Sequence, residues 1–101
     1  MAMVTAFLPK KYDQETKDRF IAALGDVECI GFNMDRKYEH VYLHEFDPDH
    51  CDETMLKTKY VVIYTGAEKP LAAKERICQL FKEKCDEVFG PGETEIGRAH
   101  V

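Results

Sequence analysis

Apolar side chains between residues 15 and 30 fall at Phe20, Ala23, Leu24, Val27 and Ile30, steps of three and four that build one buried helical face. That spacing predicts a helix over 15–30, which Gly25 weakens without ending. Upstream, Val4-Thr5-Ala6-Phe7-Leu8 is a short β-rich run closed by Pro9. After it, Asp13-Gln14-Glu15 puts acids where a first helical turn favours them. Downstream, the β-branched and aromatic run YEHVYLHEF at 38–46 predicts a second strand, and Asp47-Pro48-Asp49 a turn that breaks it.

The second half repeats this order. Tyr60-Val61-Val62-Ile63-Tyr64 reads as a strand and Lys69-Pro70 as a helix start. Ile77, Leu80, Phe81, Cys85 and Val88 form the helical stripe, and Gly90-Pro91-Gly92 is the stop. A shift of 57 positions lays Val4 on Val61, Lys17-Asp18-Arg19-Phe20 on Lys74-Glu75-Arg76-Ile77, and Leu24 on Phe81. The same shift carries Tyr38–His44 onto Glu95–Val101, so TEIGRAHV is expected to be the closing strand. The chain therefore reads as one domain, 1–101, of two β-α-β units, about 2–57 and 58–101. The fold class is α+β, a two-layer arrangement: a four-stranded mixed sheet with both helices on one face, since crossovers of one hand put them on the same side. The opposite sheet face is left apolar, and other copies of the chain are its simplest cover.

Composition narrows the function. At 101 residues, 45% apolar and 33% charged, the chain can bury a core without metal or disulfides. A net charge of -5 and no run of basic residues argue against nucleic acid. The N-terminal stretch lacks the charge order of a signal peptide, and no run approaches the roughly 20 apolar residues of a membrane span. The expectation is a cytoplasmic protein without membrane contact. Cys29, Cys51, Cys78 and Cys85 form no C-x-x-C pair. Cys78 and Cys85, seven apart on a helix, are expected as buried reduced thiols.

From Asp13 to Cys51 the texture is an acid-rich helix start, a lysine soon after, an apolar face, a strand with His44-Glu45 near its end, and an Asp/Pro turn. This resembles the tautomerase superfamily, which includes oxalocrotonate tautomerase and macrophage migration inhibitory factor. The duplicated unit is similar to the longer branch, with two fused β-α-β units per chain. The resemblance implies a trimer with its sheets inside, no cofactor, no metal, and proton transfer on a small α-keto or enol carboxylate. In that family a proline follows the initiator methionine and its secondary amine is the base. Here Ala2 stands there, so the implied base is the primary amine of Ala2 once Met1 is removed, with an ordinary pKa near about 8. The family's first carboxylate-holding basic position falls on Lys10 and Lys11, and a second, arginine in oxalocrotonate tautomerase, falls on His40. Cys51 stands where an aromatic wall follows the turn, and a glycine-rich hairpin is replaced by Asp52-Glu53-Thr54-Met55-Leu56.

Other chemistry is thinner. His40 and His44, four apart on a strand, lie on one face at roughly 13 Å, too far to share a metal. Asp47, Asp49, Asp52 and Glu53, with Glu45, read as a solvated acidic turn. Thr65–Pro70 lacks phosphate-loop spacing, and the chain contains no serine for a nucleophilic triad. His50 and Cys51, adjacent on an extended segment, point apart. Three readings remain: a tautomerase-like isomerase or decarboxylase, a non-catalytic trimeric binding or assembly module of the same fold, and a ferredoxin-like ligand-binding domain.

Overall fold

The computed structural model describes residues 3–65, 70–90 and 94–100, with Thr65 and 94–100 described by their backbone; Ala2, Lys69, the Pro91-Gly92 stop and Val101 lie outside. The elements run β1 (Met3–Pro9), α1 (Gln14–Gly31), β2 (Val41–Phe46), α2 (Glu53–Lys57), β3 (Lys59–Thr65), α3 (Leu71–Phe89) and β4 (Thr94–His100). The sheet order is β2-β1-β3-β4. β1 pairs parallel with β2, β3 parallel with β4, and β1 joins β3 antiparallel, so the sheet is mixed. α1 and α3 pack against each other over one sheet face.

The two helices start 57 residues apart, at Gln14 and Leu71. They also end alike. Asn33 (φ 50) and Gly90 (φ 84), again 57 apart, both take a positive φ just past a helix C-terminus. Phe32 N–H reaches back to Glu28 O at 3.1 Å, and Gly90 N–H to Asp86 O at 2.8 Å. At the other terminus of α1, Asp13 Oδ1 accepts from Thr16 N–H at 2.8 Å, and these bonds hold the Asp13 carboxyl below its usual range. The repeat is less regular in the crossovers. Val4 pairs with Val41, whereas Val61 pairs with Ile96, so the second crossover is two residues shorter than the 57-residue shift implies. An even change preserves which side chains face the helices, so it costs the core nothing.

Val4, Ala6 and Leu8 of β1, with Val61 and Ile63 of β3, meet Phe20, Leu24, Val27, Ile77, Phe81 and Cys85 in one core. Phe89 closes one end of it, edge-on to Phe20 at 4.8 Å and tilted against Tyr12 at 5.0 Å. Four expectations change. Ile30, placed on the buried stripe by its spacing, is 72% exposed because the buried face runs through Phe20, Leu24, Val27 and Glu28, and Ile30 lies about 200° round the helix from Glu28. Cys85 is buried but Cys78, about two helical turns before it, is half-buried. β2 begins at Val41, with Arg36–Tyr38 a 3-10 turn before it. Residues 53–57 form a short helix whose Asp52 side chain caps Met55 N–H at 3.0 Å.

The other sheet face carries Phe7, Tyr42, His44 and Tyr60 without a helix over them. Phe7 stacks on His44 at 5.0 Å and His44 meets Tyr42 edge-on at 5.2 Å. Tyr42 is 46% exposed.

Leu24 and Phe81, equivalent under the repeat, are both fully buried. Leu24→Ala should cost about 2–5 kcal/mol and Phe81→Ala about 3–5 kcal/mol, read as lowered urea midpoints with unchanged slopes. A cost below 1 kcal/mol at either would contradict a core shared by both units.

Candidate functional site

The sequence candidates sort to opposite ends of β1. At its start, Val4 N–H donates to His40 O at 2.9 Å, so the chain enters the sheet alongside His40. At its end, Lys10 N–H donates to Phe46 O at 2.8 Å. Seven strand residues separate Met3 from Pro9 inclusive, a span of about 20 Å. His40 and the lysine pair of one chain therefore cannot touch one small substrate. Ala2, the candidate base, precedes the described part of β1.

The lysines differ. Lys11 Nζ donates to Leu56 O at 3.3 Å and lies 5.4 Å from the Tyr12 ring centroid, held by α2 and its own neighbour. Lys10 is exposed and its ammonium makes no bond among the described residues. A third lysine, Lys59 at the start of β3, sits over Phe89 at 5.2 Å, so this end of the sheet is basic.

His40 is held through its backbone. Its N–H donates to Glu28 Oε1 at 2.9 Å, and its ring Nδ1 lies 2.7 Å from Glu39 O. Glu28 is fully buried on α1, and its second oxygen, Oε2, has no partner among the described residues. Burial pushes the Glu28 carboxyl up from the ordinary 4.5, against the pull of the His40 N–H and with the nearby Glu39 adding to the rise. Around it Arg36 bonds Asp26 at 2.5 Å and Glu39 at 2.9 Å. The Glu39 carboxylate lies where any side chain at Gly25 would stand, so the mid-helix glycine is a docking notch for the segment that leads into β2.

Glu28 was legible in one respect: it falls four after Leu24 and eight after Phe20, squarely on the apolar stripe. The other candidates are scattered. His44 lies on the open sheet face against Phe7, His40 precedes the strand, and Cys51 Sγ donates to Pro48 O at 3.6 Å. Lys17 pairs with Glu45 at 3.1 Å, tying α1 to β2 and removing Glu45 from the acidic turn. Among the described residues no three His, Cys, Asp or Glu side chains converge as metal ligands, and no helix is long and apolar enough to cross a membrane.

No family model and no curated protein matches the chain. Solved structures do. Native fused 4-OT aligns with a TM-score of 0.88 at 16% identity, over 98% of this chain and 86% of that one. A wild-type fused 4-OT crystallised as an asymmetric trimer gives 0.87 at 14% identity, over 98% and 85%. Malonate semialdehyde decarboxylase inhibited by 3-bromopropiolate gives 0.78 at 16% identity, over 98% and 82%.

Because the folded carboxyl of Glu28 titrates above its unfolded value, the folded state holds the extra proton. Its contribution to stability is present below about pH 4.5 and is lost as pH rises through the folded pKa. Glu28→Gln keeps the acceptor for His40 N–H without the charge. Its stability relative to the parent should therefore rise with pH across that window and then level off, in urea melts at a series of pH values. A constant gap between the two proteins would mean the carboxyl is not perturbed.

Proposed function

The chain carries the tautomerase-superfamily fold in its two-unit form, and on that premise we propose that it is a homotrimer acting weakly as an isomerase or decarboxylase on a small α-keto or enol carboxylate. The observation that carries this reading is the Val4 N–H to His40 O bond, which sets the entry of the chain beside a histidine. In ketonisation, the primary amine of Ala2 takes the enol hydroxyl proton as the carbonyl forms, and the resulting ammonium returns a proton to the neighbouring carbon. His40 orients the substrate at that mouth. A carboxylate anchor has to come from elsewhere, since the chain's own Lys10 and Lys11 sit at the far end of β1. In a trimer whose sheets face one another, a neighbouring copy supplies them.

Lys10 is the better anchor, because its ammonium is uncommitted while Lys11 already serves Leu56 O and Tyr12. Lysine binds a carboxylate as a point charge, without the two-pronged fit of arginine. The amine of Ala2 lacks the tuning of a secondary amine in an apolar pocket. The loss of a matched base is worth about 10²–10⁴-fold, so turnover should be slow. Support for the trimer comes from the uncovered aromatic face of Phe7, Tyr42 and Tyr60 and from the trimeric fused 4-OT structures.

Light scattering at micromolar concentration should return three times the 11.7 kDa chain mass. Ketonisation of phenylenolpyruvate should be slow, abolished by N-terminal acetylation, and reduced more by Lys10→Ala than by Lys11→Ala. Fast turnover insensitive to all three would place the chemistry elsewhere. An intact trimer with no turnover would favour the non-catalytic module, a reading to which Cys51 at the expected aromatic wall lends weight.

A further inference from the structure

On the face away from the sheet, the last turn of α1 and the first half of α3 border an open groove of about 450 Å³. That is within the range of about 300–1,000 Å³ that small-molecule sites occupy. Its walls are Ile30 and Gly31 from α1, and Ala72, Ala73, Ile77 and Leu80 from α3, with one charged side chain, Arg76. Ile30 is 72% exposed, and Leu71, at the start of α3, is 62% exposed. Large apolar side chains left in water beside a groove mark a surface with an occupant.

The internal repeat supplies a control, because the same groove has a counterpart 57 residues away. There Glu87 stands for Ile30, Val88 for Gly31, Glu15 for Ala72 and Thr16 for Ala73, while Arg19 stands for Arg76. In the counterpart Val88 packs against the core and Glu87 is paired with Lys84 at 3.2 Å, whereas Phe89 and its equivalent Phe32 both pack against the core. The fold therefore does not require an apolar lining at this place. The groove is opened by Gly31, whose missing side chain lets α1 approach α3 so closely that a Cβ there would lie 3.0 Å from Ile77 Cγ1. It is made apolar by three further substitutions that remove two acids and a hydroxyl. Only the arginine is common to both.

We propose that this groove binds a small carboxylate with an apolar body, an aryl or alkyl acid. The apolar part lies along Ile30, Ala73 and Leu80 and the carboxylate pairs with Arg76. The charge argument is specific. Arg76 makes no ion pair among the described residues, and the acid one helical turn before its counterpart Arg19, Glu15, is alanine here. A guanidinium offers a carboxylate two parallel N–H donors. The site lies on the helix layer, so it stays accessible when sheet faces associate, and it does not depend on the proposed catalysis.

The test is an amide-resolved NMR titration of the full chain with 4-phenylbutyrate, with the neutral 4-phenylbutanol in parallel. Shifts should saturate at amides 30–31 and 72–80, with the acid bound at least about tenfold tighter than the alcohol, as a charge-assisted pair supplies. Arg76→Gln should weaken the acid by about that factor and leave the alcohol unchanged. Ala72→Glu restores the residue of the counterpart in a helical first turn that tolerates it, and should abolish acid binding while the circular dichroism spectrum stays intact. Equal affinity for acid and alcohol, an unaffected Arg76→Gln, shifts confined to Phe7, Tyr42 and His44 on the sheet face, or no saturable binding would each overturn the proposal.

Discussion

The antiparallel seam between β1 and β3 governs the rest of the molecule. Each β-α-β unit has a parallel pair and one covering helix, and neither can enclose a core alone. Joined at Thr5 opposite Val62, the two place α1 and α3 side by side and enclose Phe20, Leu24, Ile77 and Phe81 between helices and sheet. The seam also fixes polarity. Because β3 runs against β1, the entry of one unit lies at the same sheet end as the exit of the other. That is why Tyr64 sits beside Met3, and why the last turn of α1 faces the first turns of α3. The distance between the candidate groups and the existence of an open groove both follow from this one pairing.

A second constraint sets where β2 begins. Two polar contacts hold the 35–40 segment on α1 and a third lies within it, and their worth differs. The Arg36 pairs with Asp26 and Glu39 involve a guanidinium that is 60% exposed, and such pairs contribute about 0–1 kcal/mol. The Glu28 carboxyl that accepts from His40 N–H is buried although the bond itself is only part-buried, and stranding that carboxyl away from water would cost about 1–3 kcal/mol. The Glu28 carboxyl therefore decides the geometry, and the exposed pairs orient the turn around it. Its second oxygen has no partner among the described residues, a reason for the buried carboxyl to favour its neutral, protonated form.

This explains which features the sequence disclosed. Both long helices were legible within a residue or two, since each combines a 3.6-residue stripe with a repeat that says it twice. The start of β2 was not: Tyr38, Glu39 and His40 are β-prone in company with VYLHEF, and it is the Glu28 carboxyl, twelve residues back, that draws His40 out of the strand. The short α2 has too few residues to show periodicity and is announced by its Asp52 cap alone. For the site, the residue types were readable and their placement was not. Lys10 and Lys11 suit a carboxylate wherever they stand, but only the strand register shows that a single chain keeps them from His40.

The two units have kept their backbone and traded away their surfaces. At one sheet end Tyr12, Phe89 and Lys59 close the core with two tilted rings under a cation. At the equivalent place in the other unit Phe32 packs against the core, while the helix before it ends in Gly31 and exposed Ile30. Duplication makes such divergence inexpensive, because the seam and the buried stripe supply the stability and leave helix termini free to vary. It also separates tasks in space. On the proposed reading the aromatic face of the sheet is where other copies pack and the entry of β1 is where the proton moves, while the groove between the helices lies on neither, so a ligand could reach it whether or not the sheet faces are covered.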